Sequence, residues 1–235
     1  MRIDESPREG YAVRARHSGK GHPVDTANAT LVYYNIVVVF RELKFGPMLS
    51  EPARRLLEGH PSPLITEIPN QVLAVVYPDR QIQCEFADRR VKVTDGRGTE
   101  PGAEPFAQVV INATQAAGRA SAAQIVAYGY NYELHIPVGE EDAGAFLRTR
   151  FLSEAAKIGQ AFGGTVGPVG ISASVRLADD CQANFGIEPI PERPGYAKAH
   201  VNYHYEGKSP SLQSDELSAQ AREKYQEFRA ALGRL

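Results

Sequence analysis

The sequence has few of the residues that usually identify a specific chemistry. Its 235 residues include two cysteines and no tryptophan, and its net charge is only -2. Neither Cys84 nor Cys181 lies in a Cys-x-x-Cys or Cys/His cluster, so we predict reduced thiols rather than a disulfide framework or a zinc site. Because 26 basic side chains are balanced by 28 acidic ones, no overall charge attracts nucleic acid or an anionic membrane.

Long hydrophobic runs are also missing. The longest, Ile36 to Phe40 with its tyrosine neighbours, is far too short to span a bilayer, and no charged-then-apolar leader opens the chain. We therefore expect a cytoplasmic protein without a membrane partner. The 43% hydrophobic residues are nevertheless enough for a substantial core.

Recognisable catalytic and cofactor motifs are absent from the sequence. There is no Gly-x-Ser-x-Gly elbow, and the glycine-rich residues 163–170 follow a predicted helix, whereas phosphate-binding loops follow a strand. His200 and His204 lie in a strand-like segment, where four residues span about 13 Å, too far for both to bind one ion. We assign no catalytic residue, cofactor or metal, although an enzyme with a site between two halves of the chain remains an alternative.

An alternating stretch near the middle of the chain, residues 128–137, is the clearest strand in the sequence. Every second residue is tyrosine or leucine, so one face of the extended chain is aromatic and apolar. The residues of that face are Tyr128, Tyr130, Tyr132 and Leu134. Polar residues and a glycine occupy the other face, which predicts a strand with one side in the core.

The rest of the chain has the same mixture of strand and helix patterns. Further strands are predicted at 31–40, which is apolar on both faces, and at 72–77, 81–86, 90–94, 169–177, 182–187 and 197–205. Helices are predicted at 53–58, 105–117, 141–162 and 214–232. In the last helix an apolar residue recurs every three or four positions, and Ser214 is a suitable N-cap.

These elements predict an α+β fold with an internal duplication. Each half has the order strand, helix, three strands, helix, and together they would form an antiparallel sheet with the helices packed on one face. The expected division is a flexible arm at 1–27, a first repeat at 28–119 and a second repeat at 120–235, packed as one body.

The order of elements resembles an uncharacterised, sporadically distributed bacterial family of similar length. The resemblance covers about residues 60–230. It is carried by Arg80-Gln81-Ile82-Gln83, Phe86, Val91 and Val93, then Gly129-Tyr130-Asn131-Tyr132, then the helix containing Glu223 to Phe228. The resemblance implies a fold order only and suggests no activity, substrate or cofactor.

The face of the sheet away from the helices is the candidate binding surface. Its predicted binding residues are Asn131, Glu133, Arg176, Asn184, His200, Asn202 and His204. We expect this face to bind a protein segment or a ligand, because a surface rich in amides and mixed charges suits hydrogen-bonded recognition of a polar surface better than phosphate binding. We therefore favour a non-catalytic interaction or assembly module that binds a protein partner or associates with itself.

A nucleic-acid-binding protein is the main alternative. A duplicated strand-helix-strands-helix unit is also the architecture of the saddle-like TATA-binding fold, although this is an analogy of fold alone. The basic residues of this chain are interspersed with acidic ones, which is unfavourable for repeated phosphate contacts.

Overall fold

The computed structural model describes residues 24–59, 63–98, 100–138 and 142–235. Within these ranges nine strands form a single antiparallel sheet, and the helices pack on one of its faces. The predicted α+β class and the antiparallel sheet are therefore confirmed.

The strands are β1 (Thr30–Phe40), β2 (Leu64–Ile68), β3 (Val72–Tyr77), β4 (Ile82–Ala87), β5 (Arg90–Asp95), β6 (Ile125–Pro137), β7 (Ile171–Ala178), β8 (Cys181–Pro189) and β9 (Tyr196–Glu206). The helices are α1 (Pro47–Ala53), α2 (Phe106–Ser121), α3 (Ala143–Phe151), α4 (Ala155–Ala161) and α5 (Ser214–Leu232). The strands are ordered β2-β3-β4-β5-β1-β6-β9-β8-β7 across the sheet.

The two halves of the sheet meet at the β1–β6 pair. In each half the first strand lies beside the last strand of that half, and the strands before the last one follow outward. This gives β1-β5-β4-β3 in the first half and β6-β9-β8-β7 in the second. The halves are not equal, because β2 has no counterpart in the described part of the second half, which instead has an additional helix. The predicted unit of strand, helix, three strands and helix is therefore wrong in detail, and duplication stays a prediction.

Two predicted helices have different bounds in the structure. The helix expected at 53–58 is α1, which begins at Pro47 and ends at Ala53. Proline is favoured in the first helical turn, where its missing N–H is not needed, and Pro47 rather than Pro52 fills that role. The single helix expected at 141–162 is two helices, α3 and α4, separated at Leu152 by a non-helical backbone.

The predicted single helix does not continue because only its first part packs on the core. Phe146 and Phe151 in α3 contact the hydrophobic core, whereas Ile158 in α4 is 40% exposed and Phe162, which follows α4, is 88% exposed. The N-terminus of α3 is capped by the Asp142 carboxylate, which accepts a hydrogen bond from the Ala145 N–H.

Most of the predicted N-terminal arm lies outside the described residues. Of its described part, Val24 is buried in the core, and the Thr26 carbonyl accepts a 2.7 Å hydrogen bond from Arg229 in α5. The first described residues therefore contact the end of the last helix.

Buried tyrosines attach the central strands to the helices. The Tyr132 hydroxyl in β6 donates a 2.7 Å hydrogen bond to the Ala221 carbonyl in α5, and the Tyr130 hydroxyl donates to Gln220 Oε1 at 2.9 Å. Burial raises the pKa of the Tyr132 hydroxyl well above its ordinary value, so this group remains a neutral donor. A residue type that is apolar along its ring and polar at its tip can thus fill the core and also satisfy a polar contact.

The loop between β5 and α2 is also held by buried contacts between the sheet and the helices. The Asp95 carboxylate is buried and pairs with Arg97, whose Nε lies 2.9 Å and 3.0 Å from the two carboxylate oxygens. The Tyr34 hydroxyl accepts a 3.1 Å hydrogen bond from the Gly102 N–H, and its ring lies 4.5 Å from the Phe106 ring. These contacts set the point at which α2 begins.

The two tyrosine contacts predict different stabilities for matched substitutions. Tyr132→Phe should lower the free energy of unfolding by about 0.5–1.5 kcal/mol, because it removes a buried hydrogen bond to the α5 backbone. Tyr130→Phe should cost less, because its partner is the half-exposed side chain of Gln220. Urea unfolding of both variants measures the difference, and equal losses would contradict the assigned role of the Tyr132 hydroxyl.

Candidate functional site

The surface of the sheet opposite the helices is the candidate functional site, and we call it the open face. Alternation along the strands places every second side chain there. Across the seven neighbouring strands β4-β5-β1-β6-β9-β8-β7, most of these side chains are polar, as predicted. Its central and outer members are Gln83, Glu85, Lys92, Thr94, Asn35, Asn131, Glu133, Lys198, His200, Asn202, His204, Gln182, Asn184, Glu188, Ser172, Ser174 and Arg176.

A row of four asparagines crosses the middle of the open face. Asn35 is opposite Asn131, Asn131 is opposite Asn202, and Asn202 is opposite Asn184 on four successive strands. The Asn131 Nδ2 donates a 2.8 Å hydrogen bond to Asn35 Oδ1. At the outer end, Asn184 Oδ1 accepts hydrogen bonds from Ser174 at 2.6 Å and from Gln182.

The structure brings the predicted binding residues together in three adjacent rows. Three of them lie in the asparagine row, which contains Asn131, Asn202 and Asn184. In the row on one side, Glu133 is opposite His200. In the row on the other side, His204 and Arg176 are both opposite Gln182. Their shared location is a geometric result and does not by itself assign a function.

Asn35 is the member of the asparagine row that the sequence did not reveal as a site residue. It is only 8% exposed and lies in the apolar stretch that predicted a strand covered on both faces. No helix is seen over this side of β1 in the described structure; Tyr33, Val37 and Val39 are half-buried on the open face. A single asparagine within this apolar stretch was the signal in the sequence that could have identified Asn35 as a site residue.

Charged groups on the open face neutralise one another. Lys198 Nζ lies 2.7 Å from the Glu188 carboxylate, and this hydrogen bond lowers the pKa of Glu188 and raises that of Lys198. Burial raises the pKa of Tyr33, and the neighbouring Glu133 carboxylate adds to this effect. Burial also lowers the pKa of His135, which favours its neutral form. The result is a surface with polar groups but little net field.

Two glycines keep the open face flat at the histidine positions. A Cβ atom on Gly186 would lie 2.6 Å from His200 Nε2, so the imidazole occupies the space above this glycine. A Cβ atom on Gly129, which is opposite His204, would lie 2.7 Å from the Tyr203 carbonyl oxygen. The first contact is to a movable side chain, whereas the second is to the backbone.

The open face becomes apolar near β2, a strand that we did not predict from the sequence. Leu64 and Ile68 on this strand are 64% and 47% exposed, and they are opposite Val76 and Val72. The expectation of a polar face along the whole sheet is therefore wrong at this edge. The strand was missed because it has only five residues between proline-rich segments.

Beside α2 the described chain has a groove of about 420 Å³, lined by Phe40, Gly118 and Leu212 among others, and its one ionisable lining residue is Arg119. Within the described ranges no three His, Cys, Asp or Glu side chains cluster in a way that could hold a metal ion. None of the described helices has the length and hydrophobicity needed to cross a bilayer.

Comparison with known proteins finds no family model that matches the chain and no curated protein with significant similarity. The family resemblance based on the order of elements therefore stays a prediction.

The two open-face glycines predict unequal responses to the same substitution. Gly129→Ala should lower the free energy of unfolding by about 1–3 kcal/mol, because the new methyl group meets a backbone oxygen that cannot move without disturbing the β6–β9 pair. Gly186→Ala should cost less, since the His200 ring can rotate away. Urea unfolding gives the energies, and the imidazole NMR signals of His200 should shift in Gly186→Ala. A smaller loss for Gly129→Ala than for Gly186→Ala would contradict this explanation.

Proposed function

We propose that the protein is a non-catalytic interaction module that binds a partner protein through the open face. The observation that carries this proposal is the asparagine row, in which four amide side chains occupy directly opposed positions on four successive strands. Solvation of a sheet surface requires polar side chains, but it does not require the same amide at each crossing of one row.

Amide side chains are suited to recognising polypeptide because each has both donors and an acceptor, as the peptide group does. The row is also incompletely satisfied by its own neighbours. Asn202 Oδ1 is buried and has no hydrogen-bond partner among the described residues. A partner's donor would reach this acceptor only after the Asn202 amide turned towards the surface.

The dimensions of the row suit a protein interface. With Gln83 and Thr94 at one end and Ser174 at the other, the row crosses seven neighbouring strands from β4 to β7. Six inter-strand spacings of about 4.8 Å give a length of about 29 Å, which is comparable to one side of a standard protein–protein interface.

The charge distribution favours a protein over a nucleic acid. Lys198 pairs with Glu188, and Lys92 is opposite Glu85 on the neighbouring strand. Side chains that neutralise phosphates need to be free of such carboxylates, because nucleic-acid affinity depends on net positive charge at the surface. Binding of nucleic acid is therefore an outcome to be tested rather than a second proposal.

Site-specific photocrosslinking in the cells that produce the protein tests the proposal. A photoreactive amino acid at Gln83 or Gln182, both exposed on the open face, should give a discrete protein adduct that survives nuclease treatment. The same amino acid at exposed Arg222 on α5 should not give that adduct. Absence of an adduct from both glutamine positions, or an equal adduct from Arg222, would contradict the proposal, and a nuclease-sensitive adduct would replace the protein partner with nucleic acid.

A pair of matched variants distinguishes recognition from general charge effects. Asn184→Asp with Asn202→Asp keeps the side-chain size but removes amide donors from the row, and should reduce the Gln83 adduct at least several-fold. Asn70→Asp with Gln226→Glu adds the same charge at exposed positions outside the row and should leave the adduct unchanged. Equal yields from the two double variants would show that the asparagine row is not the binding determinant.

A further inference from the structure

The two edges of the sheet differ in how they are protected against pairing with another chain. The β2 edge has only five residues, is flanked by Pro63 and Pro69, and carries Glu67 within 3.9 Å of Arg54. Short length, prolines and charges are the usual means by which proteins protect an edge strand. The β7 edge has eight residues, no proline and one charged residue, Arg176, and its one register shift lies near its end, between Arg176 and Ala178.

The side of β7 that faces the helix layer is also uncovered. Val175 is 48% exposed, and Ala173 is exposed beside it. In the described structure the outer edge of β7 pairs with no other strand. This edge therefore offers both unpaired backbone groups and an apolar strip.

We propose that β7 pairs in antiparallel fashion with β7 of a second copy of this chain, about a two-fold axis at Ser174. This register opposes residues 172–176 of the two copies, the part of β7 that precedes the register shift between Arg176 and Ala178. On the side of the helices, Ala173 then faces Val175 of the other copy. On the open face, Ser172 faces Arg176, and Ser174 faces its own equivalent.

The strand is complementary to itself in this register. Apolar residues face apolar residues, and each Arg176 faces a serine, so like charges are not opposed. The asparagine row also continues across the junction, because Ser174 is the outer member of that row. Dimerisation would join the two open faces into one longer surface, but the pairing of β7 does not depend on what the open face binds.

Pairing of β7 with β7 of a second copy is more favourable than head-to-tail pairing of β7 with β2 of a second copy. Pairing of β7 with β2 of another copy would leave free edges at both ends and produce open-ended filaments, whereas β7–β7 pairing closes as a dimer. The prolines and short length of β2 further disfavour the first arrangement. Because one pair of strand edges is smaller than a standard interface, we expect a dimer with a dissociation constant in the micromolar range.

Charge substitutions at two exposed positions test the strand pairing and its register. Ala173→Lys with Val175→Lys would place lysine opposite lysine twice, and should weaken the dimer about tenfold or more. Ala173→Lys with Val175→Glu would place lysine opposite glutamate twice, and should keep the dimer. Sedimentation velocity of the purified full chain over a concentration series measures both variants beside the wild type, and thermal unfolding checks that each is folded.

The control pair is Thr66→Lys with Ile68→Lys at the β2 edge, both at exposed positions, which should leave the dimer unchanged. A wild-type chain that stays monomeric at high micromolar concentration would overturn the proposal. So would identical behaviour of the two β7 double variants, or a dimer that is lost only in the β2 variant. If either β7 variant fails to fold, the single substitutions Val175→Lys and Val175→Glu, each unopposed by a charge in this register, should both remain dimeric, and their dissociation to monomers would contradict the register.

Discussion

The pairing of β1 with β6 is the constraint on which the rest of the structure depends. These strands join the two halves of the sheet, and their register sets which side chains face the helices along both halves. A slip of β1 by one residue against β6 would move Tyr34 out of the core and bring Asn35 into it. The Asn131–Asn35 hydrogen bond opposes such a slip, because its 2.8 Å geometry exists only when the two asparagines are opposite each other.

From this pair outward, the two faces of the sheet have different roles. The face toward the helices is stabilised by apolar burial and by tyrosines such as Tyr132, whose hydroxyl reaches the α5 backbone. The open face contributes little apolar burial from β4 to β7, so its residues can vary in chemistry without loss of the core. A polar surface held in place by a packed core would need little ordering on binding a partner, which reduces the entropy lost.

Strand and helix patterns in the sequence predicted much of this fold, but not the arrangement of its site. Period-two alternation identified β6, and the apolar stripe of α5 identified the last helix, because both signals are local. The five-residue β2 is too short to give such a signal, and α1 was displaced because Pro47 and Pro52 are both plausible first-turn prolines. The alignment of Asn35 with Asn131, Asn202 and Asn184 depends on pairing between residues far apart in the chain. No local pattern specifies that alignment, which is why Asn35 was not recognised.

The central claim is that the open face is covered by a partner where the protein works, and oxidative footprinting compares its exposure directly. Hydroxyl radicals would modify His200 and His204 on the open face and Met48, which is 68% exposed elsewhere, in living cells and in the purified chain. We expect the two histidines to be modified several-fold less in cells, whereas the modification of Met48 is unchanged. Equal modification of the histidines in cells and in the purified protein, with Met48 as the internal reference, would contradict coverage of the open face by a partner.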